Sequence, residues 1–172
     1  MKPLLKLLIT LFLLGYAGYL MAQKNVGPGL TYGTEIDRLG VVVNSNFELN
    51  ENWEVSPSFT YYLPKTYDFV TSQITARLFS LEADVHYVFN VSKFRLYPLA
   101  GINFSYSSSK VRSSEPLIDD PLHSDGILDI GVNVGGGATY PFNDNITGFS
   151  ELKFTISNYD RVSLYAGILF NL

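Results

Sequence analysis

From Val26 onward the chain alternates residue by residue, and across eight successive segments one face of that alternation carries no charged side chain. The segments run over 26–36, 39–49, 53–63, 78–89, 94–107, 126–142, 146–157 and 161–172. Side chains two apart share a face of a strand, so each segment sorts into two columns. Leu39, Val41, Val43 and Phe79, Leu81, Ala83, Val85, Tyr87 typify the first column. The second is small and polar and holds Glu35, Glu48, Glu54, Glu82, Asp84, His86, Arg95, Asp129, Glu151 and Lys153. A soluble barrel turns its apolar face inward and its charges outward. Here one face is too apolar for water and the other too charged for an oily core. In a bilayer the conflict disappears, because the apolar face meets lipid and the polar face lines the interior.

Strands in hydrocarbon cannot leave an edge unpaired, so a spanning sheet has to close on itself. The expected fold is therefore all-β, an eight-stranded antiparallel up-and-down transmembrane β-barrel. Short polar turns, Asn50-Glu-Asn52, Asn90-Val-Ser-Lys93 and Asn143-Asp-Asn145, follow the even strands. Longer connections, Pro64 to Arg77 and Ser108 to Asp125, follow odd ones. An even strand number brings both ends of the barrel chain to the short-turn side, which is periplasmic in outer-membrane barrels. Trp53, Tyr87, Phe89, Phe94, Tyr140, Phe142, Phe170 and Leu172 flank those turns, where an interfacial girdle belongs. Pro57 and Pro98 fall inside strands, where each removes a ladder donor, so bulges or local breaks are expected there.

Composition agrees. Apolar residues make up 47% and aromatics 15%, whereas charged residues make up 16%, against about 25% in soluble domains. A net charge of −4 without a basic cluster excludes nucleic acid as a partner. The absence of cysteine excludes disulfides and thiolate metal sites. Residues 1–22 form a separate unit, with Lys2 and Lys6 before an apolar run from Leu7 to Met21. That run is short for a membrane helix and reads as a secretory signal peptide, cleaved after Ala22 or after Ala17. The barrel then occupies 23–172.

The ending Tyr165-x-Gly167-x-x-Phe170-x-Leu172 resembles the C-terminal insertion signal of small bacterial outer-membrane β-barrels of the eight-stranded OmpX/OmpA-like, porin-like type. Gly29-Leu-Thr-Tyr-Gly-Thr-Glu-Ile36, Pro57-Ser-Phe-Thr-Tyr61 and Tyr97-Pro-Leu-Ala-Gly101 are similar to stretches of that family. The resemblance covers Val26 to Leu172. It implies a place in the bacterial outer membrane among its lipids, assembly by barrel-insertion machinery with periplasmic chaperones, and no assigned activity. A monomer is expected.

Candidate chemistry lies mainly on the polar face. Glu82, Asp84 and His86 at i, i+2 and i+4 could ligate a metal or pair as acid and base. The interior of an eight-stranded barrel is only wide enough for side chains, so a structural network is the expected role. On this sorting seven acids face two bases, Arg95 and Lys153. Gly135-Gly136-Gly137 has no following helix to complete a phosphate loop, and its expected role is room for bulky neighbours, Phe149 and Glu151. Glu115 to Asp125 concentrates four acids with His123, matches no calcium or zinc spacing, and reads as a solvated acidic loop. Tyr67, Phe69, Val70 and Ile74 suggest an apolar contact patch in the other long connection. The leading functional expectation is a structural or surface-interaction barrel with a packed lumen, no open pore and no cofactor. The alternatives are a lipid-modifying enzyme using His123 with Asp119, Asp120 or Ser124, and a small-solute porin.

Overall fold

The computed structural model of the chain describes residues 24–69, 72–113 and 126–172. Its strands are β1 (Lys24–Gly33), β2 (Arg38–Glu48), β3 (Trp53–Phe69), β4 (Ser72–Tyr87), β5 (Phe89–Val91), β6 (Phe94–Ser113), β7 (Gly126–Pro141), β8 (Ile146–Ile156) and β9 (Arg161–Asn171). All pair antiparallel with their neighbours, and β1 closes against β9 from Asn25↔Asn171 to Gly33↔Ser163. β4 and β5 are one stave interrupted at Val88, and both pair with β6. The result is a closed eight-strand antiparallel barrel.

The two columns read from the sequence become the two surfaces of the wall. Leu30 is 63% exposed and Ile130 60%, while Asp84 and His86 are fully buried. Such an exterior is stable in hydrocarbon and would aggregate in water.

Pro57 and Pro98 leave gaps in their ladders and no bulge. Opposite Pro57, the β2–β3 ladder skips from Asn44↔Ser58 to Phe47↔Val55 without changing register. Side chains fill the gap, with Ser45 Oγ donating to Pro57 O at 3.0 Å and Ser56 Oγ donating to Asn44 Oδ1 at 2.8 Å. The break between β4 and β5 has the same cause, because Pro98 brings no N–H to that part of the β6 ladder. Val88 turns instead to the neighbouring turn, where its amide donates to Asn52 O at 2.7 Å. Pro28 likewise faces the interval between Val26↔Phe170 and Gly29↔Gly167. The register shift that does occur in β3–β4 lies between Tyr62 and Lys65, beside Pro64.

Two of the three short turns share one chemistry. Asn50 Oδ1 accepts from the amides of Asn52 and Trp53, and Asn143 Oδ1 accepts from those of Asn145 and Ile146. Each asparagine mimics a backbone carbonyl and closes its hairpin locally. The third turn uses Ser92 at φ 58°. Beside these turns run two chains of rings, Trp53–Tyr87–Phe89 and Phe94–Tyr140–Phe142, with neighbouring centroids 4.9 to 5.7 Å apart.

The opposite end is taller than the sequence reading allowed. β3 has 17 residues, β4 16 and β6 20, whereas β1, β2, β8 and β9 have 10 or 11. A tilted spanning strand needs about 9–11. Much of what reads as the connections Pro64 to Arg77 and Ser108 to Asp125 is therefore strand, paired in register from Phe69↔Ser72 through Ser72↔Ser113. Polar, serine-rich composition hides strands there because neither face needs to be apolar above the bilayer.

Candidate functional site

The interior is organised around Lys153, which β8 presents fully inside the wall. Its ammonium stands 2.7 Å from Asp84 Oδ2, 3.1 Å from Glu82 Oε2 and 3.1 Å from Glu151 Oε2. The acids are delivered by parity, Glu82 and Asp84 from β4 and Glu151 from β8. Further donors complete the shell. Tyr165 Oη and Asn103 Nδ2 donate to Glu82 Oε1 at 3.0 and 3.1 Å, Asn133 Nδ2 donates to Asp84 Oδ1 at 3.0 Å, and Tyr97 Oη donates to Glu151 Oε1 at 2.9 Å. Lys153 also lies 4.6 Å from the centre of the Tyr165 ring. One ammonium with three carboxylates, each carboxylate also held by a neutral donor, makes a buried ionic network in which Glu151 Oε2 meets only the ammonium.

His86 does not join Glu82 and Asp84. It stacks on Tyr97 at 4.3 Å, and its Nδ1 lies 3.8 Å from Glu54 Oε2, too long for a hydrogen bond. Among the described residues no group of three His, Cys, Asp or Glu is arranged to hold a metal ion.

Toward the short-turn end Arg95 from β6 bridges two acids that face each other across β2–β3, Glu48 at 3.2 Å and Glu54 more tightly. Glu54 is buried while Arg95 is 30% exposed, so water screens part of the pair. Replacing Arg95 with Leu leaves two adjacent acids facing each other. It should lower the thermal unfolding midpoint of the refolded barrel, with a loss of about 1–2 kcal/mol. An unchanged midpoint would remove Arg95 from the network.

One placement and one count differ from the sorting by sequence. Glu35 is not in the lumen: β1 ends at Gly33, and Glu35 sits in the 34–37 turn, exposed. There Thr34 Oγ1 and the Val162 amide donate to its carboxylate at 2.6 Å each, holding it below the ordinary glutamate range. In the same turn Lys65 and then Tyr32 donate to Asp37, which is lowered for that reason. Asp129 is inward but belongs to the tall end, where Asn158 Nδ2 donates to it at 2.8 Å. The count of two inward bases was short, because Arg38 and Arg161, first residues of β2 and β9, also share the inward parity. Arg161 is 4% exposed. Carrying the alternation one residue past each apolar run would have found both.

The glycines are cut to fit their neighbours. A Cβ on Gly137 would stand 2.7 Å from Tyr97 Cε2 and 2.8 Å from Glu151 Cγ. Gly137 faces Glu151 as the sequence suggested, whereas Gly135 faces Lys153 and Phe149 faces Thr139. Phe149 instead packs with Val42, Tyr165 and Leu169 over Gly29 and Gly167. Within the last strand Tyr165 and Gly167 thus point inward, while Phe170 and Leu172 are exposed on the outside at 40% and 82%.

The rim group His123, Asp119, Asp120 and Ser124, the patch residue Val70, and the leader 1–22 lie outside the described residues. Tyr67, Phe69 and Ile74 occupy paired backbone of β3 and β4.

A closed barrel with an apolar exterior at membrane height and salt bridges inside suits a bilayer. The outer membrane protein beta-barrel domain family matches residues 13–168. This chain belongs to that family. Solved structures with the same fold include the attachment invasion locus protein Ail of Yersinia pestis, at TM-score 0.59 and 14% identity, covering 87% of this chain and 97% of Ail. The N-terminal barrel of Pseudomonas aeruginosa OprF gives 0.62 and 16%, covering 88% and 98%. A major outer membrane protein of Thermus thermophilus gives 0.66 and 14%, covering 87% and 98%. No match to a curated protein was found by sequence. The chain is a bacterial outer-membrane β-barrel protein, and its apolar wall meets the lipids of that membrane.

Proposed function

We propose that the chain is a structural or surface-interaction protein that acts through its tall end, with no enzymatic role and no open pore. The single observation behind this reading is the projecting sheet. Beyond the β2–β3 ladder, which stops at Tyr62, and the β6–β7 ladder, which stops at Ser108, the strands β3, β4 and β6 continue together. The β3–β4 pairs run on to Phe69↔Ser72, and the β4–β6 pairs to Ser72↔Ser113. At about 3.3 Å per residue the extra five or six residues rise almost 20 Å above the wall. Among the described residues, 65–69 of β3 and 109–113 of β6 pair with β4 alone, so each presents a sheet edge. Such edges accept an added strand from a partner.

In this reading residues 1–22 are removed as a signal peptide, and the monomeric barrel 23–172 inserts with both ends in the periplasm. Insertion machinery and periplasmic chaperones assist it, and Tyr165, Gly167, Phe170 and Leu172 form the insertion signal. The network of Glu48, Glu54, Glu82, Asp84, His86, Arg95, Glu151 and Lys153 serves as packing. A photo-crosslinking residue at Thr66, on the edge of β3, should trap a discrete envelope or surface partner in intact cells. The same residue at Val43, on the lipid face, should not. Planar bilayers holding the purified barrel should show no conductance steps. Equal trapping at the two positions, or steady unit conductance, overturns the proposal.

A further inference from the structure

Inside the mouth at the tall end lies a cavity of about 180 Å³, walled by Ile36, Leu78, Ile127 and Tyr159 and floored by Arg38 and Arg161. On this measure one water needs about 10–15 Å³, so the space suits a ligand the size of benzoate. Arg161 is 4% exposed, yet its Nε and Nη2 have no hydrogen-bond partner. Its guanidinium stands 5.3 Å from the centre of the Tyr62 ring, a contact that steadies the cation and leaves its edge donors unused. Arg38 donates from Nη1 to Ala76 O at 3.2 Å, and its Nε is also unpartnered. Among the described residues neither guanidinium forms an ion pair, although every other inward cation does.

Glu35 and Glu82 lie within electrostatic reach of Arg161, but no nearby acid takes its free hydrogen bonds. Glu35 is held by Thr34 and the Val162 amide, and Asp129 by Asn158. Buried guanidinium donors without hydrogen-bond partners are costly, and their planar fork matches a carboxylate. The apolar walls select against bare inorganic ions. Because the cavity lies inside the wall, bilayer lipids cannot reach it sideways, and entry is from the outer solution.

We propose that this vestibule binds a small organic anion, a carboxylate on a short aryl or alkyl group, through Arg161 and Arg38. This goes beyond the interaction surface above and does not depend on it. Asp129 also lines the cavity, so the bound carboxylate has to sit on the arginine side, away from the Asp129 carboxylate.

The test uses the barrel in phosphatidylcholine nanodiscs, with empty nanodiscs as the blank, and follows 4-fluorobenzoate and neutral 4-fluorobenzamide by fluorine NMR. Saturable binding of the benzoate alone is expected, weakened at least tenfold by Arg161→Gln and by Arg38→Gln. Heat-modifiable gel mobility verifies that each variant is folded. Should either arginine variant fail to fold, Ser107→Phe fills the cavity from β6 while keeping both arginines, and it should abolish binding. Equal binding of benzoate and benzamide, no saturable binding, or undiminished binding by Ser107→Phe overturns the proposal.

Discussion

Replacing Lys153 with Met should cost the refolded barrel about 3–5 kcal/mol, the usual loss when one partner is removed from a buried ion pair. The side chains are similar in length, so the lesion is electrical. Asp84, Glu82 and Glu151 would remain within the same enclosure, at positions now 2.7 to 3.1 Å from the ammonium, with no cation between them. The measurement is the urea midpoint in phospholipid vesicles, followed by the fluorescence of Trp53. Adding Glu82→Gln should recover part of the loss, because the two changes share one network and are not additive. A loss under about 1 kcal/mol, with no recovery in the double variant, would mean that water reaches the cluster and screens it.

That cluster was partly legible in the sequence. Parity alone puts Glu82, Asp84, Glu151 and Lys153 on one face, and an eight-stranded barrel forces one face into a shared interior. Parity does not say which staves meet across the lumen. Lys153 reaches the β4 acids because β4 and β8 stand on facing parts of the wall, and that depends on closure and stagger. His86 shows the limit most clearly: its i, i+2, i+4 spacing with two acids suggests a site, yet Tyr97 captures its ring by stacking. The wall itself was legible because a bilayer imposes a strict rule on every outward residue. Above the bilayer the rule lapses, and in the strand extensions through Phe69 and Ser113 no face stays apolar, since Lys65 shares parity with Tyr67 and Phe69, and Ser109 and Ser113 with Val111. Glu35 was misplaced for a related reason, since a turn of Thr34 to Asp37 continues the parity of β1 without continuing the strand.

The second large effect concerns Gly167, where two explanations of one residue make different demands. If Gly167 matters only as part of an address read during insertion, its substitution should harm assembly in cells and leave refolding from urea intact. The geometry demands more. A Cβ at Gly167 would collide with the carbonyl oxygen of Pro28, and would stand 2.6 Å from Gly29 Cα and 2.6 Å from Phe149 Cε1. Two of those obstacles are backbone of β1, the strand that closes the barrel against β9. Gly167→Val should therefore abolish the heat-modifiable folded species both in cells and in refolding into vesicles. Trimming Phe149 to Ala should not restore it, because the seam itself cannot move aside. At Gly137 the obstacles are the side chains of Tyr97 and Glu151, so damage from Gly137→Ala should be relieved by shortening Tyr97 to Leu. The side chains of Phe170 and Leu172 point outward, so although Phe170 pairs with Val26 across the seam, trimming either puts no atom into it. Their joint replacement by Ala should leave refolding in vesicles near normal and impair insertion in cells, separating a role in recognition from a role in closure. Efficient refolding of the Gly167→Val barrel would reverse this assignment and leave Gly167 to the insertion signal alone.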